Sequence, residues 1–397
     1  MKDMPTTEDL LLRQVEAILP TKEGLEELLK KKKIRLYLGI DPTGTKLHLG
    51  HSITLRKLQQ FADLGNEAIL VLGTGTVLAG DPSQRESARP RITEKEIKEN
   101  IKTWKKQAGK IIDFSKVKLV ENGKWLKALG LSDILNIASH LSAVQLFQRD
   151  MFQKRIQKGD TVWTHELLYP LLQGYDSVAL DVDLEIGGTD QTFNMLIGRE
   201  LQRKMNNHEK FVLTVPMITG TDGRQMSKTK GNCVWLDDTA QDMFGKIMSM
   251  PDENIIPYLA LVTTTPLLQV EEIKKALELK TMNPKEAKEM LAKEVVKDFH
   301  GKAAAESAAA EFKKVFEEKQ QPTEIPEVSV NKTELQLVDL LLKIGIAPSK
   351  TQARALVEQK GVKINGIVQE DPSKLISLKT EIIVQAGPRR FVRAKGA

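Results

Sequence analysis

One cysteine, Cys233, in 397 residues excludes an internal disulfide and points to a reducing compartment. Six scattered histidines beside that thiol form no zinc-type ligand cluster, so no structural metal is expected. No apolar run approaches the ~20 residues that span a bilayer, and no membrane partner is expected. The opening MKDMPTTEDLLL carries acids and lacks a signal-peptide core, which makes the cytoplasm the expected location. Lysine and arginine are missing from Gly159 to Gly198, where seven acids remain. Such an acidic patch suits a cationic group, for example an ammonium. With 41% hydrophobic and 28% charged residues, the chain has a globular composition and room for two or three domains.

The positive charge is unevenly placed. Residues 335–397 hold 11 Lys and Arg against 5 Asp and Glu, which accounts for the whole net charge of +6. A small basic module on a neutral body points to a polyanionic partner, most simply nucleic acid.

The most informative stretch is Tyr37–His51, YLGIDPTGTKLHLGH. Arg35–Ile40 has the alternation of a short strand, with Leu36, Leu38 and Ile40 opposite Tyr37 and Gly39. Pro42 and Gly44 break it, and an amphipathic helix is expected to start near His48. His48 and His51 then share one face of its first turn, where free N–H groups and the helix dipole favour a phosphate. Gly50 leaves the backbone open to a ligand. The apolar AILVLG at 68–73 completes a βαβ unit with a parallel sheet, whose ligands bind at the carboxyl ends of strands.

Further along, residues 8–33 read as one helix. A stripe of Ile97, Ile101, Trp104, Ala108 and Ile111 reads as another, and Asp133–Gln157 as a third with an apolar face fit for a second subunit. In HELLYPLLQGYDSVAL, Tyr169, Gln173 and Asp176 share a face at i, i+4 and i+7. That face is either the wet side of the helix or, within the acidic patch, a binding surface. LEIGGTDQ ends a strand in glycines, with Asp190 placed to meet a ribose hydroxyl. TGTDGRQMSKTKGN, glycine-rich and basic, is a mobile phosphate loop or a solvated turn. Helices follow to about Glu318, and a proline-containing linker precedes the basic module. That module shows a helix, a second helix capped by Ser349, and a hairpin at Asn365-Gly366. Lys343, Lys350, Arg354, Lys360 and Lys363 lie among these elements, as structured RNA would require.

His48-Leu49-Gly50-His51 resembles the HIGH motif, and QMSKT at 225–229 the KMSKS motif, of class I aminoacyl-tRNA synthetases. YLGIDPTGTKLHLGH, GDPS, YPLLQGYD and GGTDQ resemble signatures of the tyrosyl branch. The last 63 residues resemble the RNA-binding module of ribosomal protein S-four. The resemblance implies an α/β chain: a Rossmann-type parallel-sheet catalytic domain with a dimerisation insert over 1–220, and the KMSKS loop with an α-helical anticodon-binding domain over 221–320. A linker at 321–334 and a small α+β RNA-binding domain at 335–397 complete it. Tyrosine–tRNA ligase activity is implied, with tyrosine, ATP accompanied by Mg2+, and tRNA(Tyr) as substrates, in a homodimer. Tyr37 and Asp176 would bind the tyrosine hydroxyl; Asp81, Tyr169 and Gln173 its ammonium; Gln191 would lie near its carboxylate. Thr43, His48, His51 and Lys228 would stabilise the phosphates, and Gly188 and Asp190 would meet the ribose. Gly39, Asp41, Gly50, Met226 and Ser227 would complete the nucleotide site, and Lys350, Arg354, Lys360 and Lys363 would meet RNA.

One departure is notable: Gln225 stands where KMSKS has its first lysine, leaving Lys228 as the matching cation unless Arg224 or Lys230 compensates. A tryptophanyl enzyme shares the class I core, and a non-catalytic RNA-binding relative would keep the same scaffold. Tyr37 with Asp176 and the RNA module favour tyrosine; the intact His48, His51, Asp190 and Lys228 favour an enzyme.

Overall fold

The structure is a computed structural model that describes residues 6–83, 92–147, 149–227, 231–316, 318, 325–387 and 390–396. The chain divides into two compact units between Ala305 and Glu306.

The first unit is built on six strands: β1 (Ala17–Leu19), β2 (Arg35–Ile40), β3 (Glu67–Leu72), β4 (Val117–Glu121), β5 (Leu184–Gly188) and β6 (Phe211–Val215). Their order is β1-β6-β5-β2-β3-β4. Every neighbouring pair is parallel except β1 with β6. The helix Leu49–Asp63 joins β2 to β3, as the βαβ reading expected. The chain runs from β2 to β3 on one side and returns to β5 on the other, so a topological switch point lies between β2 and β5. In parallel sheets, ligands bind outside the carboxyl ends at such a point.

Burial differs from the alternation expected in β2. Leu36, Tyr37 and Leu38 are all fully or almost fully buried, because a central parallel strand is covered on both faces. The 8–33 helix is two helices, Thr7–Leu12 and Lys22–Lys31, with β1 between them. Pro20 biases Leu19 away from helical backbone, and β6 supplies a partner edge for 17–19. The 97–111 stripe is shared by Glu94–Ile101 and Trp104–Ala108. Asp133–Gln157 is likewise three helices, Leu131–Ser139, Ala143–Phe147 and Asp150–Gln157. Near the first break the Ser139 hydroxyl donates to the Asn136 carbonyl, a side-chain bond that competes with helix continuation. Helices from Ala240 to His300 complete this unit. Among the described residues, no helix is long and apolar enough to cross a membrane.

The second unit packs the helices Leu337–Lys343 and Lys350–Glu358 with a five-stranded sheet and a strand pair. Leu337, Leu340, Leu341, Val357, Val362 and Val384 form its buried centre. The Ser349 side chain caps the second helix, accepting from the Gln352 N–H. Asn365 and Gly366 take positive φ values of 47° and 83° between Val362–Ile364 and Ile367–Val368, the turn that Asn-Gly predicts. Part of the 321–334 stretch is not linker: Glu327–Val330 is a strand paired in parallel with Arg390–Gly396. Only four residues long and preceded by Pro326, it has too little alternation to read from sequence.

Candidate active site

A cleft of about 780 Å³ opens at the carboxyl ends of β2 and β5. From the first signature stretch it is lined by Gly39, Asp41, Thr43, His48, Gly50 and His51. The helix Thr164–Leu180 contributes Tyr169, Gln173 and Asp176, so its polar face is a site wall and not merely a wet surface. Gly188, Asp190 and Gln191 also line it, together with Asp81, Met226 and Ser227. Residues far apart in sequence thus meet in one cavity, because two parallel strands end side by side.

His48 caps the helix Leu49–Asp63. Its backbone N–H donates to His51 Nδ1 at 3.1 Å, and the two imidazole centroids are 3.9 Å apart. A Cβ on Gly50 would come within 2.9 Å of the His48 ring, so glycine is required there by the imidazole itself. Leu49 N–H donates to Val234 O at 2.9 Å, and Leu236 N–H donates to Leu47 O at 2.8 Å, which fix the helix start to residues 234–236.

Asp176 is held at both carboxyl oxygens. Trp125 Nε1 donates to its Oδ1 at 2.8 Å and Asn122 Nδ2 to its Oδ2 at 3.0 Å. Burial pushes its pKa up to about 8 against the pull of those donors, with Glu185 and Asp41 adding to the rise. Burial therefore favours the protonated form of this carboxyl. Sequence reasoning missed Asn122 and Trp125. Asn122 directly follows β4, so the rule applied to the carboxyl ends of β2 and β5 could have found it.

Asp41 accepts from the Tyr169 hydroxyl at 3.0 Å and from the Thr76 hydroxyl at 2.7 Å. Gly73 is needed beside it, since a Cβ there would fall 1.9 Å from Asp41 Oδ1. Gln191 Nε2 donates to Asp81 Oδ2 at 2.9 Å, and Gln173 Nε2 to Glu185 Oε1 at 3.2 Å. Burial raises the Asp190 pKa, and Asp81 adds to the effect. Among the described residues, no lysine or arginine lines the cleft. Its acids favour a cationic group, and the imidazoles with the helix start are its anion-facing part.

Tyr37 does not line the cleft as expected. Its side chain is fully buried, with the hydroxyl 3.1 Å from Ser177 Oγ, because β2 is covered on both faces. Burial raises the Tyr37 pKa well above its ordinary value. Lys210 and Glu185, both buried, form an ion pair beside it, and Lys210 Nζ also donates to Ser177 Oγ at 2.8 Å. Burial lowers the Lys210 pKa, opposed by Glu185. This pair left no sequence signal, since nothing local links residues 185 and 210.

Lys228 and Lys230 lie outside the described residues. Arg224, the other candidate to compensate for Gln225, is exposed and paired with Asp222 at 2.7 Å. The loop base is held by Asn232, which accepts from Ser227 N–H at 2.9 Å and donates to Asp222 Oδ1 at 2.8 Å. In the second unit Lys350 pairs with Asp339 and Lys360 with Glu370, while Arg354 is exposed and Lys363 half-buried.

Comparison with known proteins also gives two parts, with the boundary at residue 317. Residues 29–317 match the family model for class I tRNA synthetases (W and Y), and residues 317–386 match the SYY-like C-terminal domain of tyrosine–tRNA ligases. The tyrosine–tRNA ligase of Thermotoga maritima is 42% identical, covering 98% of this chain and 96% of that protein. That of Carboxydothermus hydrogenoformans is 39% identical over 97% and 96%. Among solved structures, the Archaeoglobus fulgidus tyrosyl-tRNA synthetase complexed with L-tyrosine superposes with a TM-score of 0.62 at 24% identity, over 76% of this chain and 97% of that one. A truncated mitochondrial enzyme from Aspergillus nidulans gives 0.64 at 21%, over 76% and 91%, and both show the shared fold. By sequence along nearly its whole length, this chain belongs to the tyrosine–tRNA ligase family of class I tRNA synthetases.

Proposed function

We propose that the chain activates L-tyrosine with ATP, releasing diphosphate, and transfers the tyrosyl group to the 3′-terminal adenosine of tRNA(Tyr). The observation that carries this reading is a single cleft with Asp176 in its Trp125–Asn122 cradle at one place and the His48–His51 helix start at another. The first suits a phenol hydroxyl, the second a phosphate.

In the activation step a tyrosine carboxylate oxygen bonds to the α-phosphorus of ATP. The bond to the bridging oxygen breaks, and diphosphate leaves with that electron pair. The carboxylate is already a nucleophile, so no general base is needed. Rate comes from alignment and from charge set against the phosphates. Thr43, His48 and His51 supply donors, and Lys228 is assigned by its motif. Asp81, Tyr169 and Gln173 hold the ammonium and Gln191 lies near the carboxylate. Gly188 and Asp190 meet the ribose, and Gly39, Asp41, Gly50, Met226 and Ser227 complete the ATP site. The nucleotide enters as its Mg2+ complex. A hydroxyl of the terminal tRNA ribose then attacks the tyrosyl carbonyl, and AMP leaves. Asp176 is assigned to the substrate hydroxyl, and Tyr37 is assigned to it by the signature stretch alone.

The exposed Leu131, Leu135 and Val144 support a homodimer through the 131–157 helices. The 335–397 module, with Lys350, Arg354, Lys360 and Lys363, is assigned to tRNA, and the cytoplasm is the proposed location. Amino-acid-dependent ATP–pyrophosphate exchange tests the reading. Tyrosine should support exchange and phenylalanine should not; exchange with tryptophan alone would assign the chain to the other branch. No exchange with any standard amino acid would leave a non-catalytic relative.

A further inference from the structure

The turn between β2 and the helix Leu49–Asp63 carries Thr43 and leads into His48, yet it lies outside regular secondary structure. Its backbone is held by side chains from 100–107. Asn100 Nδ2 donates to Pro42 O at 2.8 Å, and Trp104 Nε1 donates to Gly44 O at 2.9 Å. Thr103 Oγ1 and Gln107 Nε2 both donate to Thr45 O, at 3.0 and 2.8 Å. Gln107 Oε1 accepts from Leu47 N–H at 2.7 Å. Residues 100, 103, 104 and 107 fall at i, i+3, i+4 and i+7, so near-helical backbone puts all four on one face.

We propose that Asn100, Trp104 and Gln107 are positioning residues for adenylate formation, setting the 42–47 turn so that Thr43 and the His48 helix start meet the nucleotide phosphates. This rests on the function proposed above. Gln107 grips the turn with both ends of its amide, and it and Trp104 are only 4% and 2% exposed. The bond from Leu47 N–H to Gln107 is buried, so losing it leaves that N–H unsatisfied. The part-buried bonds to the Pro42 and Gly44 carbonyls add to the preference for the clamped geometry. Catalysis by donors needs that preference, because displacing them by about 1 Å costs on the order of 10²-fold in rate. Asn100, Trp104 and Gln107 touch no substrate in this scheme; they act through the turn.

Three variants of the full chain separate this role from general support. Trp104→Phe keeps the ring packing and removes one N–H. Gln107→Leu removes both grips, and Gln107→Glu keeps the acceptor for Leu47. In tyrosine-dependent ATP–pyrophosphate exchange, Trp104→Phe and Gln107→Leu should lower kcat by about 10- to 100-fold and raise KM for ATP. KM for tyrosine should stay within about twofold, since the Asp176 end does not use the turn. In hydrogen–deuterium exchange, the Leu47 amide should lose protection in Gln107→Leu and regain it in Gln107→Glu. An unchanged kcat in Gln107→Leu, or an equal rise in both KM values, overturns the proposal. If the unaltered chain shows no tyrosine-dependent exchange, the functional reading fails, and MgATP binding decides the clamp. Weaker binding by Gln107→Leu then supports it and unchanged binding overturns it.

Discussion

The indole N–H of Trp125 donates to the carboxyl of Asp176 across 2.8 Å, tying the segment after β4 to the helix Thr164–Leu180. With Asn122 on the other oxygen, the acid is fixed at both ends, while burial pushes its pKa up to about 8.

That shift has a definite sign. A carboxyl whose pKa is raised binds its proton more tightly in the folded chain, so its contribution to stability falls as pH rises from the ordinary carboxylate range toward 8. Asp176→Asn should remove that part of the dependence. Thermal unfolding of both proteins between pH 5 and 9 checks it, with a slope difference of at most about 1.4 kcal/mol per pH unit. Parallel curves would contradict the assigned protonation.

Trp125→Phe retains an aromatic ring and deletes one donor to Asp176. We expect tyrosine kcat/KM to fall by about 10-fold, consistent with loss of one hydrogen bond to an ionisable group. The ratio of tyrosine to phenylalanine turnover should shrink with it. Steady-state exchange with both amino acids measures the change, and an unaltered ratio would remove Trp125 from recognition.

Lys210→Met leaves Glu185 buried without its ion partner, a change that costs about 3–5 kcal/mol when one member of a buried pair is lost. Adding Glu185→Gln should recover much of that loss. Urea unfolding of the single and double variants reads the coupling directly, and additive effects would mean that the pair does not act as a unit.

Arg354→Glu together with Lys363→Glu should weaken tRNA charging and leave ATP–pyrophosphate exchange at its original rate. For every phosphate that the variant no longer neutralises, the salt dependence of tRNA binding should flatten by about one unit of slope. Equal charging by the double variant would take these two cations out of the RNA surface.

Much of this molecule was legible as local pattern. The strand at 35–40, the helix start at His48, the polar face of Tyr169, Gln173 and Asp176, and the Asn365-Gly366 hairpin each follow from periodicity, capping or turn chemistry within one short window. The resemblance carried by HLGH and QMSKT then named the family, and the cleft gathers all but two of the expected amino-acid and nucleotide residues. Tyr37 is buried beside Ser177, and Lys228 lies outside the described residues.

Pairings across long sequence distances were another matter. β1 exists because β6 offers an edge 197 residues away from Ala17, a pairing that no window over 8–33 contains. Asn122 reaches Asp176 over 54 residues, and Gln107 reaches Leu47 over 60. The sequence by itself determined the elements with a strong local signal, such as Arg35–Ile40, Leu49–Asp63 and Thr164–Leu180, because hydrophobic period and backbone propensity are local. β1 and Glu327–Val330 instead needed a distant strand to pair with. The tertiary structure alone decided which polar groups are buried together, because that depends on the order of strands in the sheet and on the water excluded between layers.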